Sequence, residues 1–145
     1  MLPRVLVVVR ESGVVADRLT AEGFELVICP AANTGMGRSI ACGVAASRAA
    51  DGWLIALGDM PWVSAQSITA VAVALNTGAA VARPVYAGIA GYTVAFSAVL
   101  GPSLLALQGD QGARDLLRQA PVTEVRCADP GVLRDVDRPR DLQPL

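Results

Sequence analysis

Short apolar runs along the chain alternate with longer segments in which apolar residues recur every three to four positions, the pattern of strands interleaved with amphipathic helices. Val5 to Val9, rich in β-branched residues, predicts a strand, and Ser12 to Glu22 a short helix stopped by Gly23. Leu26 to Cys29 predicts the next strand, ended by Pro30, which has no N–H for a ladder. A glycine-punctuated loop, Asn33-Thr34-Gly35-Met36-Gly37, leads into an alanine-rich helix from about Arg38 to Ala50. The unbroken apolar run Trp53 to Leu57 predicts a central strand buried on both faces. Ser64 is the expected N-cap of a helix reaching Asn76, with Gly78 as its stop signal. Ala80 to Val85 and Tyr92 to Phe96 predict two short strands around a hairpin or longer loop at Ala87–Gly91. Leu104 to Leu107 and Gly112 to Gln119 predict helices on either side of a turn at Gly109-Asp110, and Val122 to Cys127 a further strand. The alternation implies an α/β fold of three-layer, Rossmann-like type, with a mostly parallel sheet covered by helices on both faces.

The chain has 145 residues and no composition break, so a single domain over 1–145 is expected. With 53% hydrophobic and 17% charged residues it has ample apolar surface for a packed core, which excludes disorder. Formal net charge is −1 and the 12 basic residues are all arginines without a run, which speaks against nucleic acid or an anionic membrane as partner. The weakly charged stretch from Ile68 to Leu107 is cut by Asn76, Gly78, Pro84, Gly88 and Gly91 into pieces too short to span a bilayer. Val5 to Val9 is too short for a signal-peptide core and runs straight into Arg10 and Glu11, so a cytoplasmic protein is expected. The absence of histidine and lysine excludes histidine zinc sites, Ser/His and Cys/His dyads, lysine Schiff bases and Walker-type phosphate lysines. Cys29, Cys42 and Cys127 are odd in number and form no C-x-x-C pair, which reads as reduced, core-filling cysteine.

Two segments carry candidate chemistry. In open α/β sheets ligands bind at the carboxyl ends of strands, and Asp59 follows a fully apolar strand between Gly58 and Pro61. Two readings fit it: a carboxylate facing the ligand crevice, suited to a metal–nucleotide complex, or one that satisfies its own turn. The Asn33 to Ser39 loop opens a helix at the end of another strand, where glycines admit close backbone approach and helix amides attract acceptor groups. Its alternative is an ordinary strand-to-helix connection capped by serine.

Four motifs in register then resemble one family. Asn33 to Ile40, Leu57-Gly58-Asp59-Met60-Pro61, Gly109-Asp110-Gln111-Gly112-Ala113-Arg114 and Asp135-Val136-Asp137-Arg138-Pro139-Arg140-Asp141-Leu142 occur in the order found in MobA-like nucleotidyltransferases, and within them the molybdenum cofactor cytidylyltransferases. The resemblance covers the chain from about Arg4 onward. It implies the nucleotide-diphospho-sugar transferase type of fold and transfer of CMP from CTP to a molybdopterin-type acceptor, with release of pyrophosphate. By it, Asp59 matches the aspartate that binds Mg²⁺ (or Mn²⁺) and acts in catalysis, with Asp135 and Asp137 near the metal and phosphates and Asp137 in a catalytic role. Asn33, Gly35, Met36, Ser39 and Gly58 match positions at the nucleotide, and Asp110 and Arg114 positions near the acceptor, where arginine's planar fork could hold a phosphate or a pterin carbonyl. The alternatives are an i, i+4 ion pair between Asp110 and Arg114, and an N-cap role for Asp137 before Pro139.

The sequence also departs from that family. The family opens with a strand and a glycine-rich loop ending in arginine and lysine that cradles the triphosphate, whereas this sequence opens at what matches the family's second strand. The expectation is therefore an N-terminally truncated domain without the first strand, that loop and the first helix. A missing electrostatic donor alone costs about 10²- to 10³-fold in rate, so such a chain is expected to be a poor catalyst by itself. The family's Gly-His-Pro reads Gly91-Tyr92-Thr93 and its Asp-Thr-Pro reads Asp137-Arg138-Pro139, which leaves nucleotide and acceptor open. The alternative functions are a non-catalytic cofactor- or partner-binding protein, or a related transferase using another phosphorylated acceptor. Without the middle strand, Val5 to Val9 is expected to pair with Trp53 to Leu57, the other route being a strand lent by a second copy in a homo-oligomer.

Overall fold

The computed structural model describes residues 4–110 and 112–143. In chain order these form β1 (Leu6–Val9), α1 (Val14–Ala21), β2 (Glu25–Ile28), α2 (Met36–Ala45), β3 (Gly52–Ile55), α3 (Ala65–Asn76), β4 (Val81–Tyr86), β5 (Ile89–Ala90), β6 (Val94–Ser97), α4 (Gly101–Leu105), α5 (Gly112–Gln119) and β7 (Val122–Arg126). The chain divides into two compact units: Met1–Asp51 with Ala98–Ala120, and Gly52–Ser97 with Pro121–Leu145. The α/β class follows directly from this succession.

In the first unit β1 and β2 pair in parallel, with Leu6 opposite Glu25 and Val9 opposite Ile28, joined through α1. Gly23 ends α1 at φ 86°, a left-handed conformation that glycine adopts without a Cβ penalty. Helix α2 packs on β1 and against α4, burying Ile40, Ala41, Val44 and Leu104. It begins two residues before the expected Arg38, because a 3-10 turn at Pro30–Thr34 and Gly35 set its start earlier, and it ends at Ala45 rather than Ala50, where the chain passes into turns. Cys29 and Cys42 form a disulfide with a Cα–Cα distance of 6.2 Å, leaving Cys127 as the free thiol. This corrects the expectation of reduced cysteines: the strand-to-helix return brings together two residues that spacing alone left unpaired.

The second unit holds the sheet β3-β6-β4-β5, with β7 paired to β4. Its pairing is mixed: β4 and β7 run parallel, while β3 with β6, β4 with β6 and β4 with β5 are antiparallel. The antiparallel share arises because β4 turns back at Ala87 (φ 50°) and Gly88 (φ 80°), a tight hairpin loop with both central residues at positive φ. Strands β4 and β6 are the most buried of these, and α3 packs on both and on β7. Val71, Ala82 and Ala95 centre this core, with Leu54, Leu75 and Val125 against them. Ser64 accepts from the Ser67 N–H at 3.1 Å and caps α3, as its place in the sequence implied.

Two expectations about strands fail. Strand β3 stands at the end of its sheet and is half-buried, not central and covered on both faces. Nor does β1 pair with β3: among the described residues β1 pairs with β2 and β3 with β6, in separate sheets. One edge of β3 is satisfied by an antiparallel partner supplied by the β4–β6 hairpin, which the apolar pattern of Trp53 to Leu57 does not reveal.

Candidate functional site

After β3 the chain turns sharply, the Met60 N–H donating to the Leu57 carbonyl at 3.2 Å while the Met60 side chain is buried. Asp59, just before this anchor, is exposed. Its backbone carbonyl accepts from the Val136 N–H at 2.7 Å, which lays the 134–138 segment alongside the turn. In an extended segment residues two apart share a face, so Asp135 and Asp137 flank that bond together. One carboxylate oxygen from each of Asp59, Asp135 and Asp137 lies within 4.8 Å of the other two, and all three residues are exposed. Gly58 has open space where a Cβ would stand.

The segment that carries Asp135 and Asp137 is fixed by residues the sequence did not single out. Asp129 accepts from the Ser64 N–H at 2.8 Å, the Ser67 hydroxyl at 2.8 Å and the Gly131 N–H at 2.9 Å. Burial works to raise its pKa, but these donors outweigh it and hold the carboxyl below its ordinary value. Gly131 passes so close to the Trp62 carbonyl that an added Cβ would lie 2.0 Å from that oxygen. The Arg134 guanidinium stacks 4.8 Å from the Trp62 ring centre, a cation–π contact on the same loop. Asp141, not Asp137, caps the last turn, accepting from the Arg138 N–H at 2.9 Å and the Asp137 N–H at 3.2 Å. The Asp137 carboxylate is thereby left to the acidic cluster. The readable signal for Asp129 was the Asp129-Pro130-Gly131 turn; that its carboxylate reaches the cap of α3 was not readable.

In the first unit Asn33 lies in the 3-10 turn, exposed, and Gly35 takes φ 136° to start α2 at Met36. Met36 is half-exposed and Ser39 half-buried. The Met36 N–H donates to Asp110 Oδ1 at 3.2 Å and the Gly37 N–H to the Gly109 carbonyl at 2.8 Å, so the Asn33 to Ser39 segment and the Gly109 turn are joined. Arg114 is exposed on α5 and forms no ion pair with Asp110, whose oxygen is on the Met36 amide instead. Gln111 of this motif lies outside the described residues. The structure thus gathers Asp59, Asp135 and Asp137 in one unit, and Asn33, Gly35, Met36 and Asp110 in the other.

In open α/β sheets ligands bind at the carboxyl ends of strands, and Asp59 of this acidic cluster follows such an end. Residues 1–125 match the model of the MobA-like NTP transferase domain, and the chain belongs to that family. It is similar to the purine catabolism protein PucB of Bacillus subtilis, 32% identical over 123 residues, which are 81% of this chain and 59% of PucB. It therefore spans less than two thirds of PucB's length. It is also similar to nicotine blue oxidoreductase of Paenarthrobacter nicotinovorans, 29% identical over 143 residues, covering 92% of this chain and 70% of that protein. Among solved structures, Rv0371c of Mycobacterium tuberculosis in complex with manganese superposes with a TM-score of 0.70 at 22% identity, covering 96% of this chain and 74% of that one. Molybdopterin-guanine dinucleotide biosynthesis protein A of Archaeoglobus fulgidus gives a TM-score of 0.64 at 14% identity, covering 94% and 74%. At these identities the two structures establish the fold. Among the described residues no helix is long and apolar enough to cross a membrane.

Proposed function

We propose that the chain is a cytoplasmic nucleotidyltransferase built as one MobA-like domain over residues 1–145, transferring CMP from CTP to a molybdopterin-type acceptor. The observation that carries this reading is the meeting of Asp59, Asp135 and Asp137 in a chain of the MobA-like family. Three carboxylates with no sulfur or imidazole among them suit a hard divalent cation, Mg²⁺ or Mn²⁺. Such a cation, when bound with a nucleoside triphosphate, offsets the charge of the phosphates and of the departing pyrophosphate. Asp59, Asp135 and Asp137 would hold it. The Val136–Asp59 backbone bond and the Asp129 contacts keep those donors in place beforehand, so little reorganisation is needed on binding.

Asn33, Gly35, Met36, Ser39 and Gly58 are assigned to the nucleotide, and Asp110 and Arg114 to the acceptor side, Arg114 presenting a planar fork to a phosphate or pterin carbonyl. The acceptor's phosphate oxygen bonds to the α-phosphorus as the bond from that phosphorus to the pyrophosphate oxygen breaks. In a cytoplasm the thiol pool would keep Cys29 and Cys42 reduced, and the bond between them would form on oxidation. The 32% identity to PucB favours a second reading, the same chemistry on a different small-molecule acceptor. Titration with Mn²⁺, read by electron paramagnetic resonance, tests the metal assignment. Asp59→Ala is expected to weaken binding at least about tenfold, since losing even an outer-shell partner of a metal ligand costs about 10- to 100-fold, and equal affinity in variant and parent would refute it. Assays of CTP, GTP and ATP with molybdopterin and with other acceptors then separate the two readings.

A further inference from the structure

We propose that Asp110 is a positioning residue for the nucleotide segment: its carboxylate clamps the start of α2 to the Gly109 turn, making the nucleotide and acceptor segments one hydrogen-bonded piece. The proposal rests on the nucleotide assignment of Asn33 to Ser39. The first amides of a helix have no partner within it, and Gly35, at the N-cap, has no side chain to supply one. Asp110, 74 residues away in the chain, takes the Met36 N–H, and the Gly109 carbonyl takes the Gly37 N–H. The two segments touch backbone to backbone. A Cβ on Gly35 would lie 2.4 Å from the Gly109 carbonyl carbon and 2.8 Å from Asp110 Oδ1, and one on Gly37 would lie 2.5 Å from the Gly109 oxygen. Gly109 itself sits at φ 66°, where a side chain would be strained. Three glycines and one aspartate therefore serve a single junction.

The contact also decides what else the helix end can take. A carboxylate is favoured at the positive end of α2 and occupies the amide to which a phosphate would otherwise be drawn. This leaves the preceding turn, with Asn33, to meet the uncharged parts of a nucleotide, and Asp110 acts on that nucleotide only through Met36 and Gly37.

The test compares Asp110→Ala, which removes the acceptor, with Asp110→Asn, which keeps Oδ1. Amide hydrogen exchange in the ligand-free protein is expected to quicken about tenfold at Met36 and Gly37 in Asp110→Ala, with α3 amides unchanged, and to stay within about twofold in Asp110→Asn. The Kd for CTP with Mg²⁺ is expected to rise about five- to tenfold in the alanine variant alone. Parent-like exchange and binding in Asp110→Ala, or equal damage from asparagine and alanine, would overturn the clamp. A parent chain that binds no CTP would overturn the nucleotide reading instead, and the exchange rates would still decide the clamp.

Discussion

Replacing Gly37 with alanine probes the junction between α2 and the Gly109 turn by volume alone. The residue is buried, lies in the first turn of α2 and has no positive φ, so the backbone itself accepts alanine. Helix propensity then favours the substitution by up to about 1 kcal/mol. Against this, the new Cβ would stand 2.5 Å from the Gly109 oxygen and 3.2 Å from the Gln108 carbonyl carbon. A carbon–oxygen contact needs about 3.3 Å, so the turn must retreat by roughly 0.8 Å. That displacement lengthens the Gly37 to Gly109 hydrogen bond beyond use, at a loss of about 1 kcal/mol, and overpacking adds about 1–3 kcal/mol. The balance is a destabilisation of about 1–3 kcal/mol, or a Tm lower by about 3–10 °C for a chain of this size. Differential scanning calorimetry and urea titration measure it. Gly43→Ala is the control on the same helix: its Cβ would meet only Val8 Cγ2, at 3.2 Å, and its cost is expected to stay within about 1 kcal/mol of zero. A Gly37→Ala chain as stable as the parent would refute the close approach of the two backbones.

Asp129→Asn is expected to cost about 2 kcal/mol near neutral pH, since its carboxylate is held by three short donors. Because the folded pKa is lowered, the parent has this stabilisation in full above the ordinary carboxylate value of about 4 and loses it as pH falls through the lower folded value. Unfolding measured below pH 4 should therefore narrow the gap between parent and variant, and a gap constant with pH would refute the assignment. For the acidic cluster the signs oppose: in chelator, Asp59→Ala relieves like-charge repulsion and is expected to hold or slightly raise Tm, while Mn²⁺ stabilises the parent more than the variant. A variant less stable than the parent in chelator would show that Asp59 serves the turn itself.

Local signals were legible where one residue decides an outcome. Ser64 capped α3 and Gly78 stopped it, and α5 spans Gly112–Gln119 as its spacing implied. Strand existence was legible for the same reason, while strand order was not. The apolar run of Trp53 to Ile55 looks the same whether the strand is flanked on two edges or one, and only the hairpin at Ala87-Gly88 determines that β6 takes it. That Asp135 or Asp137 would lie near Asp59 was an expectation from the family resemblance, not from spacing, and all three carboxylates meet. Their support by Asp129 was not legible, because that contact joins positions 65 and 62 residues apart. Asp110 illustrates the limit from the other side: its spacing offered an ion pair with Arg114 only as the alternative reading, and a distant orphan amide claimed the carboxylate.

The bond between Cys29 and Cys42 turns the stretch that includes Asn33, Gly35, Met36 and Ser39 into a covalent ring. The chain has no lysine, and Arg38 is the one arginine inside that ring, so trypsin finds a single target there. Digestion of the unfolded, unreduced protein would cut after Arg38 and still leave Leu19–Arg38 and Ser39–Arg48 tied through sulfur as one species. A reductant would release them as two peptides, while Cys127, at the head of its own fragment, stays apart in either case. A peptide map thus reads whether this ring is open or shut in protein taken straight from a cell, without any knowledge of substrate.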